Sequence, residues 1–376
     1  MSLVIPIFIP HEGCPHNCLF CNQHSISGHV AAPVTGAEVG ETIRTWLARA
    51  RPANRGQVQV AFYGGSFTGL PSTRQTELLA AVQPFYQQGL VREIRLSTRP
   101  DYIDRDRLDL LCHHGVSIIE LGVQSCDDGV LRRAGRGHNR ADIEQAVRLI
   151  RERNIRLGIQ LMLGLPEDHF RTLRSTVETV IRLRPDFVRL YPVLVLRGSG
   201  LEELYHRGGY RLLSLGRAVV LAAFMKKRFD DQGIRVVRMG LQPSTDLEQS
   251  LVAGPYHPAF GELVQSRLML QRTRQALAGV PGTDPVTLVI AARDQSIFRG
   301  LRSANLVRLR QLGLLDRFSL RVDPEQPRQT LRIVGTDWAA GTQTPPGQPL
   351  DALPSPSFLT ENDKSTGQRT ASFNQR

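Results

Sequence analysis

Cysteine is scarce in this chain, lysine is scarcer still, and no apolar run is long. Five cysteines in 376 residues are too few for a disulfide framework, which suits a reducing compartment. The longest apolar runs, such as Ala218 to Phe224, fall far short of the roughly 20 residues that span a bilayer. An apolar stretch begins at Leu3 without a basic segment before it, and Pro6 and Pro10 interrupt it. No secretory signal and no membrane partner are expected, and the chain reads as cytoplasmic. Lysine occurs only at Lys226, Lys227 and Lys364, so the formal charge of +12 is almost entirely arginine.

Arginine enrichment can follow genomic base composition, so its distribution says more than its total. Between Gln265 and Ala339 twelve arginines face six acids, and half of the excess charge lies in a fifth of the chain. Such a segment suits the phosphates of RNA, against the alternative of a solvated basic face. With 41% hydrophobic residues the chain can bury one large core and a smaller one.

Apolar periodicity alternates between strands and helices. Strands are expected at Leu3–Ile9, Val58–Tyr63, Glu93–Ser97, Ser117–Val123, Arg156–Leu163 and Asp186–Tyr191. Helical periods occupy Gly36–Ala50, Thr73–Gln88, Arg105–His114, Arg140–Arg153, Leu173–Leu183 and Leu212–Asp231, with Thr35 placed to cap the first. This rhythm predicts an α/β fold, a parallel sheet curled into a partial (βα)6 TIM-like barrel. A small basic α+β domain is expected over 241–340, following a core domain over 1–240. It holds a long helix over Phe260–Ala278 and strands at Thr287–Ala291 and Leu331–Val334. The Pro-, Gly- and Ser-rich segment 341–376 reads as a disordered tail.

Ligand sites of parallel sheets gather at the carboxyl ends of the strands. There the chain carries Gly64-Gly65-Ser66, Ser97-Thr98-Arg99-Pro100, Gln124-Ser125, Gly164-Leu165-Pro166 and Tyr191-Pro192. After the first strand come Cys14, Cys18 and Cys21 in a C-x3-C-x2-C loop with no fourth cysteine nearby. Three thiolates on a four-iron cluster leave one iron open to a ligand. Zinc with His11 or His16 as fourth ligand is the alternative, and a loop of inert cysteines is a third reading.

The motif C-x3-C-x-Phe20-C resembles the signature of the radical S-adenosylmethionine enzymes. The resemblance implies a 4Fe-4S cluster on Cys14, Cys18 and Cys21. It also implies S-adenosylmethionine on the open iron and its one-electron cleavage to a 5′-deoxyadenosyl radical. Phe20 would then lie near the adenine, and Gly64, Gly65 and Ser66 would meet the cofactor's amino group. Gly122-Val-Gln124-Ser, Arg136-Gly-His138 and Gln160-Leu-Met-Leu-Gly-Leu-Pro166 resemble the branch containing anaerobic coproporphyrinogen oxidase. By that likeness Ser97, Gln124 and Gln160 face the ribose or methionine portions, and Arg136 pairs with the carboxylate.

Arg189-Leu-Tyr-Pro-Val-Leu-Val-Leu-Arg-Gly-Ser-Gly-Leu201 and Ala253-Gly-Pro-Tyr-His-Pro258 are similar to the radical domain of the elongator catalytic subunit, whose group modifies the wobble uridine of tRNA. The likeness covers roughly residues 3 to 260. It implies tRNA as substrate and a flavodoxin or ferredoxin as reductant. Too little chain follows Ala278 for that subunit's acetyltransferase-type domain, so another tRNA position or another molecule is expected as acceptor. Arg189 stands where that subunit has Lys. Radical chemistry on a small molecule such as a tetrapyrrole, and a non-catalytic iron–sulfur RNA-binding protein, are the alternatives. Cys112 reads as a core residue, Cys126 as an inert thiol against the alternative of a hydrogen-atom donor, Tyr63 and Tyr191 as core aromatics against the alternative of lining the pocket, and His113 and His114 as closing a helix at the negative end of its dipole.

Overall fold

The computed structural model describes residues 3–9, 13–14, 18–22, 33–50, 58–282 and 284–334. His11, His16 and the segment 341–376 lie outside them. The chain forms two compact units, residues 1–273 and 274–376. Composition suggested a boundary after residue 240. Phe260, Val264 and Leu268, however, are buried in the same core as Ile5 and Val188, which joins 241–273 to the first unit.

The first unit is built on a seven-stranded sheet. Its strands are β1 (Leu3–Phe8), β2 (Val58–Tyr63), β3 (Glu93–Thr98), β4 (Val116–Gln124), β5 (Arg156–Leu163), β6 (Phe187–Pro192) and, after a short β7 (Val195–Leu196), β8 (Arg235–Met239). They lie in the order β1-β2-β3-β4-β5-β6-β8, and every adjacent pair is parallel. Among the described residues β1 and β8 do not pair, so the curled sheet is an open half-barrel. β8 is an addition to the six expected strands. Its five residues, Arg-Val-Val-Arg-Met, are too short and too polar to stand out in the sequence. β7 pairs antiparallel with β9 (Leu251–Ala253) in a separate ribbon.

Helices cover the outer face and their apolar stripes complete the core. Thr35 caps the helix Gly36–Arg49 in a full capping box: its Oγ1 accepts the Glu38 N–H at 3.2 Å, and Glu38 accepts the Thr35 N–H at 2.7 Å. The helix expected over Thr73–Gln88 is two, Ser72–Ala80 and Gln83–Gln87. Pro84 sits in the first turn of the second, where a missing N–H costs nothing, whereas a continuous helix would need that donor. Burial of Val39, Ile43, Leu78 and Leu79 on one side of β1 and β2, and of Ile143, Val147, Val177 and Val180 further along, gives one continuous core.

The second unit is smaller. Its strands β10 (Val286–Ala291), β11 (Phe318–Asp323) and β12 (Leu331–Val334) form a sheet in the order β11-β10-β12. β10 runs parallel to β11 and antiparallel to β12.

Candidate functional site

The cysteine loop leaves β1 and packs backbone to backbone against the loop after β2. A Cβ on Gly69 would lie 2.0 Å from the Gly13 carbonyl oxygen, and one on Gly13 2.2 Å from the Ser66 carbonyl oxygen. Both positions therefore exclude any side chain, and Gly13 also has φ +71°. On its other side the loop is tied by the Leu19 N–H to Ala134 O at 3.0 Å and by the Leu201 N–H to Leu19 O at 2.7 Å.

Two buried guanidiniums converge on Cys18. Arg136 Nη1 lies 3.2 Å and Arg99 Nη1 4.0 Å from its Sγ. Asp101 holds Arg99 through two bonds of 3.0 and 2.9 Å, and Arg99 also donates to the Arg136 carbonyl. Arg136 Nη2 donates to Gly122 O at 2.5 Å, and its guanidinium sits 6.0 Å from the Phe20 ring centre. Burial and then the neighbouring Cys18 raise the Cys14 thiol, while Arg99, Arg136 and the Ser66 backbone oppose them.

An iron–sulfur cluster takes its thiolates on separate irons. Three thiols from one loop, with paired arginines to offset negative charge, fit the cluster.

A cavity of about 1580 Å³ follows the concave face of the sheet. Of the expected residues, Phe20, Cys21, Gly64, Gly65, Ser97, Gln124 and Gln160 line it. Gln124 ends β4 with φ +66°, a conformation that costs a non-glycine residue energy and that persists where the surroundings enforce it. Its side chain is buried and, among the described residues, its Oε1 has no hydrogen-bond partner. Ser66 and Arg136 are placed otherwise. The Ser66 hydroxyl is fully buried, 3.0 Å from Thr98 Oγ1, so only its backbone faces the cysteine loop. Arg136 lies beside Cys18, outside the cavity lining.

Deeper in the cavity wall is a polar cluster that the sequence reading missed. Glu120 of β4 is fully buried. Arg189 reaches it through Nε at 2.7 Å and Nη2 at 3.0 Å, Arg95 through Nε at 3.4 Å. The Tyr63 hydroxyl donates to it at 3.2 Å and Gln160 Nε2 at 3.1 Å. Gln160 also donates to Ser97 Oγ at 3.2 Å. Burial disfavours the Arg189 charge, but Glu120, then Tyr191 and Tyr63, outweigh it and hold the guanidinium above its ordinary value. Arg238, in the same wall, is pulled below its ordinary value by burial.

Tyr63 and Tyr191 line the cavity, which corrects their reading as core aromatics. Cys112 is exposed, which corrects its reading as buried. Its neighbours Leu108 and Leu111 take the apolar face of the helix Arg105–His113. Cys126 is buried, and its thiol is pushed up to about 12 by burial. The signal for the missed cluster was period two: Arg95-Leu-Ser97, Glu120-Leu-Gly122 and Arg189-Leu-Tyr191 alternate polar with apolar inside apolar strands.

A parallel half-barrel with a cysteine loop at the mouth of a polar inner cavity defines an α/β enzyme class that works through a bound cofactor. The chain belongs to the radical SAM superfamily: that family's model matches residues 8–180, and the Radical_SAM C-terminal domain model matches 185–269. Members of the family use a 4Fe-4S cluster and S-adenosylmethionine. An uncharacterized protein of Methanocaldococcus jannaschii is 28% identical over 217 residues, 56% of this chain and 66% of that protein. The tRNA uridine(34) acetyltransferase of Methanocaldococcus infernus is 24% identical over 263 residues, 59% of this chain and 49% of that one. The chain thus matches between about half and two thirds of the length of these relatives. Among solved structures, the archaeal M. infernus Elp3 with an N-terminal deletion (1–46) superposes with a TM-score of 0.58 at 19% identity. The superposition covers 72% of this chain and 64% of that one, and it shows the shared fold. Among the described residues no helix is long and apolar enough to cross a membrane.

Proposed function

We propose that this chain is a hydrogen-abstracting enzyme acting on RNA, with tRNA as the substrate class and Cys14, Cys18 and Cys21 as the cluster ligands. The observation that carries the site is the convergence of Arg136 and Arg99 on Cys18 while Cys21 opens onto the cavity. When bound, the cluster and S-adenosylmethionine supply reductive cleavage of the sulfonium and a hydrogen-abstracting radical.

This chain's own residues bind and orient. Gly64 and Gly65 admit the cofactor's amino group to backbone contact, and Ser66 contributes its backbone beside Cys14. Gln124, Ser97 and Gln160 offer hydrogen bonds to the ribose and methionine portions, and among the described residues Gln124 Oε1 has no competing partner. Phe20 packs against the adenine. Arg136, beside Cys18 and outside the cavity lining, offsets the charge of the cluster. The polar wall around Glu120 and Arg189 faces the substrate. Likeness to tRNA-modifying relatives supports the RNA assignment, and a flavodoxin or ferredoxin is the fitting reductant.

Anaerobic reconstitution followed by assay for 5′-deoxyadenosine under reduction tests the chemistry. Iron and sulfide should bind, and Cys18→Ser should remove both along with the product. Zinc without sulfide in air-free preparations would overturn the reading. The nucleoside profile of tRNA from a deletion strain tests the substrate. A missing or changed modification is expected, and an unchanged profile would transfer the chemistry to a small molecule such as a tetrapyrrole.

A further inference from the structure

The second unit carries a loop that nothing in the cluster chemistry uses. After β10 comes the helix Gln295–Arg299, a tight loop Gly300-Leu301-Arg302-Ser303, the helix Ala304–Gln311 and then β11. Leu288, Ile290, Ile297, Phe298, Leu306 and Leu309 are buried, so both helices are fixed by packing. Asn305 pins them to each other: its buried side-chain amide donates to Ile297 O at 3.2 Å and to Phe298 O at 3.1 Å.

The loop backbone is fixed as well. Gly300, Arg302 and Ser303 have φ of +76°, +50° and +60°, and the Ser303 N–H donates to Gly300 O at 2.9 Å. Glycine begins the loop and a small serine ends it, which leaves the backbone open to close approach. Leu301 at the tip is 55% exposed.

Charge along this segment is of one sign only. From Gln295 to Gln311 there are four arginines, Arg299, Arg302, Arg308 and Arg310, and no carboxylate. All four are exposed, and among the described residues none forms an ion pair. RNA modules that clamp about four nucleotides of one strand by the backbone do so with a tight Gly-x-x-Gly loop, and here Gly300-Leu301-Arg302-Ser303 forms such a loop between two helices with serine in the last place. Arginines around such a loop gain by releasing counterions from phosphate. An exposed apolar tip offers a surface for an unstacked base, which a duplex does not present.

We propose that the 300–303 loop clamps the sugar–phosphate backbone of single-stranded RNA. The inference rests on the reading above only in taking RNA as the partner.

The test uses the full chain and a labelled single-stranded RNA of about 12 nucleotides, read by fluorescence anisotropy at low salt. Leu301→Asp combined with Arg302→Asp should weaken binding at least about tenfold and flatten its salt dependence. Both positions are exposed, so the melting temperature should hold, and formation of 5′-deoxyadenosine without RNA should be unchanged. Unaltered affinity of the double variant, equal binding of duplex RNA, or equal binding of single-stranded DNA would each overturn the proposal. A wild-type chain that binds RNA through this loop but never forms 5′-deoxyadenosine would instead overturn the reading of the cluster site and leave the clamp standing.

Discussion

Arg189 on β6 and Glu120 on β4 meet across the intervening strand β5, Nε to Oε2 at 2.7 Å, with the carboxylate fully buried. Arg95 shares that carboxylate, so one negative charge serves two guanidiniums. Removing it leaves both positive charges in a desolvated wall.

Glu120→Gln should therefore cost about 3–5 kcal/mol of stability in urea unfolding. Adding Arg189→Met removes one orphaned charge and should recover part of the loss. A double-variant loss equal to the sum of the separate Glu120→Gln and Arg189→Met losses would show that the two residues are not coupled.

Gly69 decides how closely the cysteine loop approaches β2. Gly69→Ala puts a methyl group 2.0 Å from the Gly13 oxygen, backbone against side chain, with no flexible atom to yield. About 1–3 kcal/mol should be lost, and the iron retained after anaerobic reconstitution should fall. Gly216→Ala, where no heavy atom lies within 4 Å and the residue is helical, should instead gain up to about 1 kcal/mol and keep its iron.

His138 sets a pH dependence. Burial, then Arg136, pushes its imidazole down to about 3, with Asp101 opposing. In the unfolded chain the ordinary value of about 6.5 returns. Between these values the unfolded chain holds a proton that the native one lacks, so stability is full above about pH 6.5 and declines as pH falls. Going from pH 8 to 5.5 should cost about 1.4 kcal/mol from this group in cluster-free protein. Urea titrations of wild type and His138→Gln at both pH values measure it; the variant should lose less on acidification, and parallel losses would refute the assignment.

The two remaining cysteines should separate by reactivity. Cys112 is exposed and Cys126 buried with its thiol pushed up to about 12. In native cluster-loaded protein at about pH 8, iodoacetamide should label Cys112 and spare Cys126 until denaturant is added. Mass spectrometry of the digested protein reads the result, and native labelling of Cys126 would contradict its burial.

Much of the fold was legible because buried parallel strands must be nearly continuous apolar runs. Val58–Tyr63 and Arg156–Leu163 keep their expected bounds, and the long helix Phe260–Ala278 does too. β8 escaped because two of its five residues are arginines and its edge position asks for little hydrophobicity. Ser66 illustrates a different limit. Its place in a glycine loop left hydroxyl and backbone equally open to a ligand, and Thr98, from the next strand, takes the hydroxyl in the core.

By itself the sequence determined the cysteine spacing, the alternation of strands and helices and the caps such as Thr35, because these depend on neighbours a few residues apart. Only the tertiary structure decided that Gly13 must meet Gly69, that Arg136 and Arg99 address Cys18, and that Glu120 joins Arg95 and Arg189. Those residues are distant along the chain, and the curl of the sheet alone determines which strand face turns inward.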